Sequence, residues 1–225
     1  MPKNKSDIDT KPDTTNQTFN ENDFEPFDAN DLETFTLFDP SKNDKVVIPE
    51  EPGNYAILLR HGSKLPDIDV PYIPCIIKYN GEPYELIYVG RSQDSLRNRE
   101  YDKYFTRNNS GQSTFRKSVG AMMDLTQTYR SQGEIGKKNF KTKFIAEDES
   151  KLTEWIKCNT LFLFKPFPNP KRIKTAMIQA LDPVLNLEEY PKHSFNIPFR
   201  KALKKIRKAD NLSPTPNYIP HGGTH

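Results

Sequence analysis

Apolar residues fall in strand-length bursts in the first half of the chain and in helix-period stripes in the second. Residues 1–45 are rich in Asp, Asn, Thr and Pro, and no apolar periodicity shows before Phe19. Such a stretch buries too little to offset chain entropy, so 1–45 is predicted as a disordered acidic tail. Order begins at Val46. Tyr55-Ala56-Ile57-Leu58-Leu59, entered from Pro52-Gly53, reads as a strand, Ile73 to Tyr79 as a second, and Tyr84 to Val89, ending at Gly90, as the third. Asn80-Gly81 between the last two is a hairpin turn, because both positions favour φ > 0. Helical spacing then takes over. Asp94 to Tyr104 offers Leu96, Tyr101 and Tyr104 to one face. Ser113 is an N-cap for Thr114 to Tyr129, with a stripe of Phe115, Val119, Met122, Met123 and Leu125. Gly133 to Lys143 is a basic connection, Asp148 to Cys158 a helix, and Leu161 to Phe164 a strand. Pro170 suits the first turn of a helix to Leu181, which Pro183-Val184-Leu185-Asn186 stops. A last helix opens near Asn196 and Pro198 and runs to Lys208. The expected architecture is α+β: a small antiparallel three-stranded sheet flanked by helices over 46–209, with tails at 1–45 and 210–225.

Composition narrows the classes. Hydrophobic residues make up 34% and charged ones 28%, too thin for a chain packed from end to end. No apolar window approaches a membrane span, and the polar N-terminus has no signal-like core, so a cytoplasmic protein without membrane contact is expected. Cys75 and Cys158 stand apart with no Cys-x-x-Cys, and the four histidines are scattered, which argues against a disulfide scaffold or a structural zinc site.

Charge is divided along the chain. Residues 1–50 hold 12 acids against 5 lysines, while 51–225 hold 28 Lys and Arg against 18 acids. A basic domain behind an acidic segment points to a polyanionic partner. Two runs carry the excess: ten cations against four acids from Arg99 to Lys143, and seven cations with no acid from Lys192 to Lys208. The latter run is equally the solvated face of an amphipathic helix.

Gly53-Asn54-Tyr55 opens the first strand and Tyr88-Val89-Gly90 closes the third. Ser95-Leu96-Arg97-Asn98-Arg99 follows, and much later Pro183-Val184-Leu185-Asn186. In this order the four elements resemble the GIY-YIG nuclease family over about residues 50–208. Ser113 to Gly120 and Leu152-Thr153-Glu154-Trp155 are similar to a bacterial branch of single-domain members. The resemblance implies an endonuclease that hydrolyses DNA phosphodiesters with Mg²⁺ or Mn²⁺. It implies that Tyr55 helps activate the attacking water, Tyr88 holds the nucleophile network, Arg99 steadies the scissile phosphate and Asn186 closes the site. Tyr104, beside Lys103, falls where the family often has a histidine or tyrosine. The chemistry is consistent with these roles: a phenol is a poor base unless cations lower its pKa, and an arginine fork donates two parallel hydrogen bonds to a phosphate. Arg91, Arg97, Lys103, Arg116 and Lys117 are the expected nucleic-acid contacts.

One departure opens a second reading. The family binds its metal through a glutamate on the helix before the Pro-x-Leu-Asn element, and here that position is Lys174, with no acid between Pro170 and Leu181. A lysine cannot coordinate Mg²⁺ and repels it. Either a carboxylate comes from Glu154, Asp182, Glu188 or Glu189, or the protein binds nucleic acid without cutting it. A third reading makes the acidic, Phe-rich segment Phe19 to Phe38 an interaction element, docked on the domain's own basic surface or on a protein partner, or simply a short peripheral helix.

Overall fold

A central strand buried on both faces organises the molecule. The computed structural model describes residues 27–98, 110–134 and 140–208. Its strands are β1 Thr36–Phe38, β2 Gly53–Leu59, β3 Cys75–Tyr79, β4 Glu82–Ser92, β5 Gln127–Tyr129, β6 Thr142–Phe144 and β7 Thr160–Pro166. Its α-helices are α1 Thr114–Met122, α2 Ala146–Asn159, α3 Pro170–Leu181 and α4 Ile197–Ile206. Five strands form one antiparallel sheet in the order β1-β7-β2-β4-β3, and β5 pairs with β6 in a separate ribbon. The fold is therefore α+β as expected, but its sheet has five strands rather than three. β7 inserts between β1 and β2, a long-range pairing that no local pattern announces.

All seven residues of β2 are buried because both sheet faces are covered. On one face Tyr55, Ile57, Phe162 and Phe164 pack against Phe115 and Val119 of α1, Leu152 and Ile156 of α2, and Phe199 and Leu203 of α4. On the other, Ala56, Leu58 and Leu163 meet Met177, Ile178 and Leu181 of α3, together with Leu32 and Phe35.

Those last two residues correct the expected tail. Ala29–Thr34 is a 3₁₀ helix closed by a capping box, in which Asp28 accepts from the Asn30 N–H at 2.7 Å and its own N–H donates to Asp31 at 2.9 Å. β1 follows and pairs with β7, and the Tyr79 hydroxyl donates to the Phe35 carbonyl at 2.9 Å. Asp39 is tied to Arg60, whose guanidinium holds its carboxyl well below the usual carboxylate range. The described part of the acidic segment, from residue 27 on, thus packs as part of the domain and not as a tail outside it. The rest of that segment, residues 1–26, and the predicted C-terminal tail lie outside the described residues.

Asn80 and Gly81 have φ of 50° and 80°, the hairpin geometry expected of them. The helix expected over 114–129 ends at Met122. There Asp124 turns left-handed (φ 54°), the Leu125 N–H closes on the Gly120 carbonyl at 3.0 Å, and the chain returns as β5. Of the helix expected over 94–104, only residues 96–98 are described as helical. Among the described residues no helix is long and apolar enough to cross a membrane.

Candidate nucleic-acid cleft

Strand register brings the two motif tyrosines together. Tyr55 of β2 lies opposite Gly90 of β4, and Tyr88 opposite Ile57, so the two rings share a face as diagonal neighbours with centroids 6.2 Å apart. Gly90 makes this possible. A Cβ there would run into the Tyr55 ring and hydroxyl, so only glycine lets that ring lie across the strand. Tyr55 is wholly buried and Tyr88 nearly so, its ring also against Phe115 at 5.5 Å.

The Pro183 to Asn186 element serves as an edge for β4. β3 pairs with β4 only as far as Leu86, and Ile87 is an extra residue where the register with β2 shifts. Beyond that point β4 would show open backbone groups on its outer side. The Leu185 N–H donates to the Ile87 carbonyl at 3.0 Å. Asn186, buried, accepts from the Val89 N–H at 2.8 Å and donates to the Val89 carbonyl at 2.9 Å. Asn186 thereby fixes Tyr88-Val89-Gly90 in place. It is a positioning residue.

Two adjoining cavities open beside this strand. The larger, about 390 Å³, is lined by Tyr88, Thr114, Lys117, Lys174, Asn186, Leu187, Glu188, Lys204, Arg207 and Lys208. The smaller, about 360 Å³, is lined by Tyr55, Tyr88, Gly90 to Asp94, Thr114 and Lys174. Tyr88, Thr114 and Lys174 belong to both, so the two form one cleft with Lys174 at the junction. Burial pushes the Lys117 ammonium down to about 8, helped by Arg207. Burial also lowers Arg207, against the opposing fields of Tyr88 and Glu188. Arg91 Nη1 and Arg207 Nε are buried donors with no hydrogen-bond partner among the described residues. Donors left so in a basic cleft are what an anion's oxygens would satisfy.

These residues do not fit a divalent cation. Lys174 Nζ lies 3.0 Å from Glu189 Oε2, which also accepts from Thr175, so that carboxylate is already engaged. Asp182 is held by Arg200 and Ser194, and Glu154 accepts from Cys158 on α2, outside the cleft lining. Glu188 alone of the four carboxylates lines the cleft, facing five cations in the larger cavity, and Asp94 is the acid of the smaller. Among the described residues no three His, Cys, Asp or Glu side chains group as metal ligands.

The expected nucleic-acid contacts fall into separate places in the fold. Arg91 and Lys117 line the cleft. Arg116 does not: it is 0% exposed, paired with Glu149 at 2.8 Å and bonded to Thr153 at 3.0 Å, because it ties α1 to α2 inside the core. Arg97 is likewise spent on structure, donating to the Ile48 carbonyl at 2.8 Å and pairing with Glu50. Arg99, Lys103 and Tyr104 lie outside the described residues. Lys204, Arg207 and Lys208 belong to the basic run over 192–208 but were not among the individually expected contacts, and they line the larger cavity. Their spacing of three and four is a single helix face, which was the available signal.

A sequence model of the GIY-YIG catalytic domain matches residues 53–209. No curated protein and no solved structure matches the chain.

Proposed function

The chain belongs to the GIY-YIG nuclease family, and from that premise we propose that its cleft holds DNA by the phosphate backbone without metal-assisted hydrolysis. The observation that carries this reading is Lys174, which lines both cavities with Tyr88 and carries an ammonium at the position where the family has a metal-binding carboxylate. Lys117, Arg207 and Arg91, with Lys174 shared with Glu189, then act as donors to phosphate oxygens, and Lys204 and Lys208 extend the positive field at the C-terminal end of α4 and just past it. The two tyrosines and Asn186 keep the strand beneath that set rigid.

The competing reading is a DNA endonuclease working with Mg²⁺ or Mn²⁺. The observation in its favour is the Glu188 carboxylate in the larger cavity.

Fluorescence anisotropy of a labelled duplex across a salt series tests the binding claim. Affinity is expected to fall steeply with salt, and Lys117→Ala and Arg207→Ala each to flatten the log–log slope by about one. Absent binding, or a slope untouched by both changes, would overturn the proposal.

A further inference from the structure

The β5–β6 ribbon stands next to the cleft and carries features that the phosphate-binding reading leaves unused. Antiparallel register places Tyr129 opposite Thr142, and Gln127 opposite Phe144. Opposite residues share a face, and strand alternation adds Phe140, two before Thr142, to the same side. The root of that face is bound to the cleft. Lys117 Nζ donates to Thr142 Oγ1, the Thr142 hydroxyl donates to Gln127 at 2.7 Å, and Gln127 Nε2 reaches the Arg207 carbonyl at 3.5 Å. Lys117 and Arg207 are the same side chains that line the larger cavity. Past them, toward the tip, come Tyr129 and Phe140, with ring centroids 5.2 Å apart and planes at 65°.

An aromatic pair that only stabilised a hairpin would be expected to hide its rings. Phe140 instead leaves 36% of its surface in solvent, and Tyr129 is half-buried. On the other face Arg130 is half-buried, joined to exposed Lys141 by its N–H to the Lys141 carbonyl at 2.9 Å. Glu134 lies 3.9 Å from the Arg130 guanidinium and accepts from the Lys141 N–H at 3.0 Å, which leaves the Lys141 ammonium, among the described residues, as the exposed cation beside the rings. A part-exposed aromatic pair beside an exposed lysine, continuous with the basic cleft, is a combination that holds unpaired bases. The rings stack on any nucleobase and the cations follow the backbone. A closed duplex offers no base face for such stacking.

We propose that Tyr129 and Phe140 form a ledge that stacks unpaired nucleobases, so that the cleft selects DNA carrying a single-stranded segment beside its phosphate contacts. This rests on the phosphate-binding reading of the cleft and names the form of DNA that it takes.

The test compares the affinity of the full chain for a blunt duplex and for the same duplex with a single-stranded thymidine tail, at one salt concentration. The unmodified protein is expected to bind the tailed duplex roughly tenfold more tightly. Phe140→Leu, which keeps an apolar contact with Tyr129 but removes the stacking ring, is expected to bring the tailed duplex down to the blunt value and leave blunt binding unchanged. Tyr129→Leu, with folding checked by thermal melting, should do the same. Equal binding of the two duplexes by the unmodified protein, or a loss on Phe140→Leu that is the same for both, would overturn the ledge. Binding that responds to Lys117→Ala but not to Phe140→Leu would overturn the ledge and leave the cleft reading standing. Failure to bind either duplex would overturn both.

Discussion

At the scale of single residues, Gly90 and Lys117 show how packing and charge set the cleft. Gly90 exists for the Tyr55 ring that crosses it. Gly90→Ala forces that ring off its position and is expected to cost about 1–3 kcal/mol, the range for overpacking a filled core. The double change with Tyr55→Ala should cost less than the sum of the two single ones, and strictly additive costs in chemical denaturation would contradict the contact. Lys117 carries the pH dependence. Its ammonium titrates near pH 8 in the free protein, and a phosphate beside it favours the charged form. The DNA-bound state therefore takes up a proton, and affinity should fall several-fold as pH rises from 7 to 9. Lys117→Arg should flatten that profile, whereas a flat profile in the unmodified protein would remove Lys117 from the phosphate contacts. The places of Tyr55, Tyr88 and Asn186 beside the cleft were legible in the sequence because each sits in a short motif. Arg116 was not. Its charge suggested a surface, but its Glu149 partner lies on another helix that no local pattern connects to it.

At the scale of elements, the site depends on ties between segments far apart in sequence. Asn186 completes β4 where β3 has ended, and each Val89 backbone group that it leaves unpaired on truncation costs about 1–3 kcal/mol. Asn186→Ala should therefore lower the urea midpoint markedly. Asn186→Asp should fare little better, since a carboxylate cannot donate to the Val89 carbonyl. Arg116→Ala breaks a buried ion pair between α1 and α2 and is expected to cost about 3–5 kcal/mol. The slope of DNA affinity against salt should be unchanged wherever that variant is folded, and a change would restore Arg116 as a DNA contact. Helix starts were readable from Ser113 and Pro170, and α3 runs over the expected residues. The end of α1 was harder to see. Met123 and Leu125 continue the apolar stripe on paper, while the backbone has already turned at Asp124.

At the scale of the whole molecule, the acidic segment and the basic domain are one unit over the described residues. Leu32, Phe35 and Phe38 are buried, β1 covers the edge of β7, and none of residues 27–44 lines the cleft. Deleting residues 1–44 is therefore expected to lower the melting temperature by many degrees, because it removes three core side chains and uncovers the edge of β7. A truncated chain that melts like the full one would show that the segment is dispensable. The sheet's full size was not readable locally, because β1 is three residues long and β7 pairs with strands distant in sequence. Uneven charge was readable, and the cleft it points to is basic. The central claim is that an ammonium at position 174 leaves this family member gripping DNA without cutting it through a metal. Incubating supercoiled plasmid with the full chain in Mg²⁺, in Mn²⁺ and in EDTA tests this most directly, with binding followed by mobility shift in the same samples. The expected result is shifted and intact plasmid in all three. Nicking or linearisation that requires the metal and is lost in Glu188→Gln would contradict the account.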